Sequence, residues 1–71
     1  MKRDGYEMII WWSEEDDAYV VDVPELPGCM AQGSTRQAAI KNAEEAIRFW
    51  IKTAKEDERE IPRPRGRLLV A

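Results

Sequence analysis

The 71-residue chain contains no histidine and only one cysteine, Cys29. Without imidazole there is no Ser-His or Cys-His nucleophilic pair. A single thiol allows no internal disulfide and no Cys/His structural zinc site. Its one unpaired thiol fits a reducing compartment, and the expected location is cytoplasmic. The four glycines are scattered and build no phosphate-binding loop. The longest apolar run, Met8 to Trp12, has strand length. A membrane span needs about 20 apolar residues, so no membrane association is expected. The basic start, Met1 to Gly5, leads into no signal-peptide core.

A chain of this size forms a single domain, residues 1–71, that buries only about 60% of its unfolded surface. Small scaffolds of this kind need disulfides, metal, unusually good packing or oligomerisation, and oligomerisation is the rescue left open. Eleven basic residues against fourteen acidic ones give a net charge of −3, which disfavours the whole chain as a non-specific nucleic-acid binder. Asp4 to Glu25 holds eight acidic residues and no basic one, while Arg59, Arg63, Arg65 and Arg67 cluster near the end. Such a distribution suits either solvated loops of opposite sign or an acidic face for a basic partner.

The most informative stretch is Tyr19 to Ala39, YVVDVPELPGCMAQGSTRQAA. Tyr19 to Val23 has strand composition, and Pro24 ends the strand because it lacks an N–H for the ladder. Pro27-Gly28 carries turn chemistry. Ser34 to Gln37 matches a capping box, with Ser34 expected to accept the N–H of Gln37 and a helix to begin at Thr35.

The remaining elements follow from pattern. Tyr6 to Ser13 and Ala18 to Val23 read as strands joined by a charged hairpin, Glu14 to Asp17. Cys29 to Gln32 reads as a short third strand. A helix is expected from Thr35 to about Asp57, fraying into Glu56 to Glu60. Ala39, Ile40, Ala43, Ala46, Ile47, Trp50, Ile51 and Ala54 form its apolar arc, roughly 140° wide. Pro62 and Pro64 exclude helix from the segment that follows, and Arg67 to Val70 reads as a last strand. The order ββ-β-α-β corresponds to an α+β two-layer domain, with one helix on one face of a mainly antiparallel sheet.

One helix covers one sheet face, yet both strand faces carry apolar residues. Tyr6, Met8, Ile10 and Trp12 alternate with Ile9 and Trp11, and Val20 alternates with Val21. An uncovered face bearing Ile9, Trp11 and Val20 marks an interface, unless polar stems and the C-terminal segment fold over it. Phe49 lies off the apolar arc, either packed beneath Ile61-Pro62 or facing another chain. Ile9, Trp11, Val20 and Phe49 are therefore the candidate interface residues.

No catalytic, metal or cofactor residue is assigned. Cys29 lacks a nearby base in the sequence. Asp16 and Asp17 lack the ligand spacing of a calcium loop. Asp22 with Glu44 or Glu45 would form a two-metal carboxylate set only if strand and helix brought them together. A binding module is favoured over an enzyme.

The chain resembles the HicB-like antitoxin family, whose signature reads xVPxLPGCxxxG, a Ser/Thr-rich cap, an Ala-rich helix and an Ile-Pro exit. The matching residues are Val23-Pro24-Glu25-Leu26-Pro27-Gly28-Cys29, Gly33-Ser34-Thr35, Ala38-Ala39, Asn42-Ala43, Glu45-Ala46-Ile47 and Ile61-Pro62. The resemblance spans about residues 6 to 70. It implies a β-β-β-α-β, partial RNase H-like fold without a working active site. It also implies association through the sheet or its edges into homo-oligomers, dimers or tetramers. The implied role is a non-enzymatic antitoxin masking a small basic RNA-cleaving toxin of the HicA type, without cofactors. Many members add a C-terminal DNA-binding domain. These 71 residues correspond to the short form, so no direct DNA binding is expected of this chain alone. The hairpin of the family often carries glycine, whereas Asp16-Asp17-Ala18 does not. A stand-alone homo-oligomeric scaffold without a toxin is the alternative.

Overall fold

The computed structural model describes residues 5–64. In chain order it contains β1 (Ile9–Ser13), β2 (Ala18–Asp22), β3 (Met30–Gly33) and α1 (Arg36–Glu56). The three strands form one antiparallel sheet in the order β1-β2-β3. The α+β reading therefore holds, with element ends shifted by one to three residues. The expected strand at Arg67 to Val70 lies outside the described residues, as do Arg65 and Arg67.

The pleat sends alternate residues to opposite faces, and the register fixes which ones meet. Ile10, Val21 and Ala31 stand in one row across the sheet. Val21 is fully buried and packs with Ala39, Ala43, Ile47 and Ile51 of α1. The inner face therefore carries Tyr6, Met8, Ile10, Tyr19, Val21 and Val23. The alanines of the helix stripe bring its backbone close to the sheet. A Cβ on Gly33 would stand 2.5 Å from the Ala39 nitrogen, so only glycine permits that approach.

Two successive β-turns connect β2 to β3. The Leu26 N–H donates to the Val23 carbonyl at 3.0 Å, and the Cys29 N–H donates to the Leu26 carbonyl at 2.9 Å. The Val23 N–H closes the unit by donating to the Cys29 carbonyl at 3.0 Å. Pro24 and Pro27 each occupy the second position of a turn, where a fixed φ is an advantage. Gly28 follows Pro27 at φ +80, the conformation a type II turn requires and L side chains avoid. Leu26, at the junction of the two turns, is fully buried and plugs the core. The Trp50 indole N–H donates to the Pro27 carbonyl at 2.9 Å, fastening the corner to the helix.

Both helix ends differ from expectation. Thr35, not Ser34, is the N-cap: its backbone is extended, and its hydroxyl accepts the Ala38 N–H at 3.0 Å. Either hydroxyl could cap, and the extended φ/ψ that suits β-branched Thr35 decides between them. The C-terminus does not fray. The Arg59 N–H donates to the Ala54 carbonyl at 2.7 Å, and the Glu58 N–H to Lys55 at 3.1 Å. That pair of bonds is a Schellman closure, with Glu58 at φ 55 where glycine is usual. Beyond it, Ile61 packs on the core, and the Tyr6 hydroxyl donates to the Pro62 carbonyl.

Two substitutions test these ends by thermal or urea unfolding. Thr35→Ala is expected to cost about 1 kcal/mol, and Ser34→Ala far less. Equal losses at the two positions would contradict the assigned cap. Glu58→Gly is expected to stabilise by about 1 kcal/mol, because it relieves a left-handed L-residue.

Candidate functional site

Since α1 covers the inner face, the outer face of the sheet carries the remaining strand residues. The register sets Trp11, Val20 and Gln32 in one row, and Ile9, Asp22 and Met30 in the next. Ile9 is 49% exposed, Trp11 42% and Met30 52%. Three large apolar side chains thus stand on a surface that no element covers among the described residues.

Of the four candidate interface residues, Ile9 and Trp11 stand exposed on this face, Val20 lies on it but is buried, and Phe49 stands elsewhere. Val20 lies on the outer face but is buried, at 6% exposure. It sits in the central strand with Trp11 and Gln32 at its register on either side, and such lateral shielding is invisible along a single strand. Phe49 is 70% exposed, so it is not packed beneath Ile61-Pro62. It stands on α1, which lies across the opposite sheet face, and does not join Ile9 and Trp11. Met30 does join them. Its membership depends on the length of the double-turn corner, which sets the β3 register and which no residue-level pattern reveals.

Trp12 belongs to the inner set by alternation but stands at its open end, 43% exposed. It packs edge-on to Tyr19, with ring centroids 5.0 Å apart at 73°. Arg36 stacks over the other partner, its guanidinium carbon 5.3 Å from the Tyr19 centroid. The Trp12 indole N–H donates to Glu14 at 3.3 Å. Trp12, Tyr19 and Arg36 thus form a partly exposed cation-aromatic ladder beside the acidic hairpin.

The hairpin is ordered by its own polar groups. The Ser13 hydroxyl donates to the Asp16 carboxylate at 3.0 Å and accepts the Asp16 N–H at 3.2 Å. Asp17 adopts φ 51, the slot that glycine fills elsewhere. Glu14, Glu15, Asp16 and Asp17 are all exposed.

The carboxylate set considered for metal is not assembled. Asp22 shares the outer row with Ile9 and Met30, whereas Glu44 and Glu45 project from the helix across the other face. No group of three metal-ligating side chains occurs among the described residues. Cys29 is buried at 3% exposure, and burial, assisted by the negative charge of Asp22, pushes its thiol above the ordinary value of 9.0. No helix among the described residues is long and apolar enough to cross a membrane.

Comparison with known proteins places this geometry. A family model described as "HicB_like antitoxin of bacterial toxin-antitoxin system" matches residues 6–67. A UPF0150 protein of Thermoplasma acidophilum is 47% identical over 55 residues, covering 78% of this chain and 80% of that protein. A UPF0150 protein of Archaeoglobus fulgidus is 36% identical over 50 residues, covering 70% of this chain and 72% of its own length. A 14.9 kDa protein from the rep-hol intergenic region of Haemophilus phage HP1 is 48% identical over 48 residues, 68% of this chain but only 36% of the phage protein. No solved structure matches at a significant level.

The buried thiol gives a direct test. The neutral thiol is the form the fold favours. Its contribution is therefore complete below the ordinary pKa and disappears as pH rises through the higher folded value. At pH 8, Ellman's reagent is expected to modify native Cys29 at least tenfold more slowly than the urea-unfolded chain. Equal rates would contradict its burial.

Proposed function

Because this chain belongs to the HicB-like antitoxins of bacterial toxin-antitoxin systems, we propose that it acts by binding and catalyses no reaction. Its target is a small basic RNA-cleaving toxin of the HicA type, whose active surface it masks in the cytoplasm. The observation that carries this reading is the uncovered outer face, with Ile9, Trp11 and Met30 about half exposed. An apolar patch of that kind is kept for association. The exposed acidic hairpin beside it complements a cationic partner and would speed their encounter.

The same apolar face supports self-association. A chain of 71 residues gains much of its stability margin by burying such a surface against a second copy. In this reading the outer face pairs copies into dimers or tetramers, and a toxin binding the same face would displace that pairing. Were the toxin absent, the assembly would remain as a scaffold, which is the competing reading.

Two measurements separate these readings. Co-expression with a HicA-type toxin is expected to restore growth and to yield a co-purifying complex. Failure with every HicA-type toxin tried would leave only the scaffold reading. In light scattering, Trp11→Ala is expected to lower the mass of the assembly at micromolar concentration. Trp12→Ala, on the inner side at the open end of the sheet, is expected to leave the mass unchanged. A monodisperse monomer for the unmodified chain would refute pairing through the outer face.

A further inference from the structure

Phe49, at 70% the most exposed large apolar side chain among the described residues, belongs to neither the core nor the outer sheet face, and its neighbours on α1 give it a meaning. At 100° per residue, Lys41, Arg48, Lys52 and Lys55 fall within an arc of roughly 60°, and they span about 21 Å of helix. All four are exposed. None of their side chains forms an ion pair or hydrogen bond with another described residue. Phe49 stands one turn from Lys52 on the side away from the sheet and is 70% exposed. Arg48, Lys52 and Lys55 line, with Ile51 and Glu56, a surface recess of about 360 Å3.

From this juxtaposition we propose that the outer flank of α1 binds single-stranded RNA. A line of unpaired cations matches a phosphodiester backbone, and an exposed aromatic beside it offers a stacking platform for an unpaired base. That combination is the physical signature of single-strand recognition. A duplex keeps its bases stacked and would leave Phe49 unused. Glu56, the one anion of the recess, can accept a hydrogen bond from a ribose 2′-hydroxyl, which deoxyribose lacks. With a net charge of −3 and Glu44 and Glu45 bordering the line of cations, binding is expected to depend steeply on salt. The site lies across the helix from the outer sheet face and stands or falls independently of the toxin reading.

Fluorescence anisotropy of a labelled twelve-nucleotide RNA of mixed sequence, titrated with the full chain, tests the proposal. Four neutralised phosphates on a single strand imply a slope of about −3 in log affinity against log salt, roughly a fiftyfold loss between 50 and 200 mM. Phe49→Ala is expected to weaken binding about tenfold. Lys52→Glu combined with Lys55→Glu is expected to abolish it with the far-UV circular dichroism retained. Trp11→Ala is expected to leave the affinity unchanged. Absence of binding at 50 mM salt overturns the proposal, as does an affinity indifferent to Phe49→Ala. Polyglutamate competing as well as RNA would reassign the flank to an acidic protein. DNA of the same sequence binding as tightly would overturn the assignment to RNA.

Discussion

The contact on which everything else depends is that of one 21-residue helix with one face of a three-stranded sheet. Glycine at position 33 and alanines at 39 and 43 let the two backbones approach closely. The contact closes over Val21, Val23, Leu26 and Ile47, all fully buried. It also leaves the other face of the same sheet with nothing from its own chain upon it among the described residues. Buried core and exposed apolar face are therefore two outcomes of one geometric fact. A strand with apolar residues on both sides is a liability in an isolated domain and a requirement in one that binds.

The corner between β2 and β3 determines where that contact falls. Two β-turns in succession, each begun by a proline and together closed by a Val23–Cys29 bond, fix how far the chain travels before it turns back. The register of β3 follows, and with it the position of Met30 on the outer face and of Gly33 beneath the helix. Cys29 matters here through its backbone bonds and its bulk in the core. The Pro-Glu-Leu-Pro-Gly-Cys corner is thus largely a device for folding, and the surfaces proposed for binding lie on other side chains.

Much of the architecture was legible because its causes are local. Proline at 24 and 27, glycine at 28 and the periodic alanines each state their role within a few residues. The hairpin was equally plain, because Glu14 to Asp17 cannot be core. What was not legible depends on neighbours distant in sequence. Both alternations of β1 are apolar, so only packing decides that Ile10 faces inward and Trp11 outward. Val20 is sheltered by residues on two other strands, and Met30 joins the outer face only through pairing. The choice of Thr35 over Ser34 turns on backbone dihedrals that two adjacent hydroxyls do not distinguish. The exposure of Phe49 depends on where the segment around Ile61 comes to rest, which is set by the helix closure at Glu58 and the Tyr6–Pro62 hydrogen bond.

A small bond at the edge of the sheet has a larger consequence. The Asn42 side-chain amide donates to the backbone carbonyl of Gln32 at 2.8 Å, so the helix reaches around to occupy an acceptor on the end strand. A strand arriving at β3 from another molecule finds that acceptor already taken and a helix side chain in its path. Sheets grow into fibres when both edges accept a neighbour. Among the described residues the β3 edge is thus obstructed, so strand addition from another molecule would be confined to the β1 side.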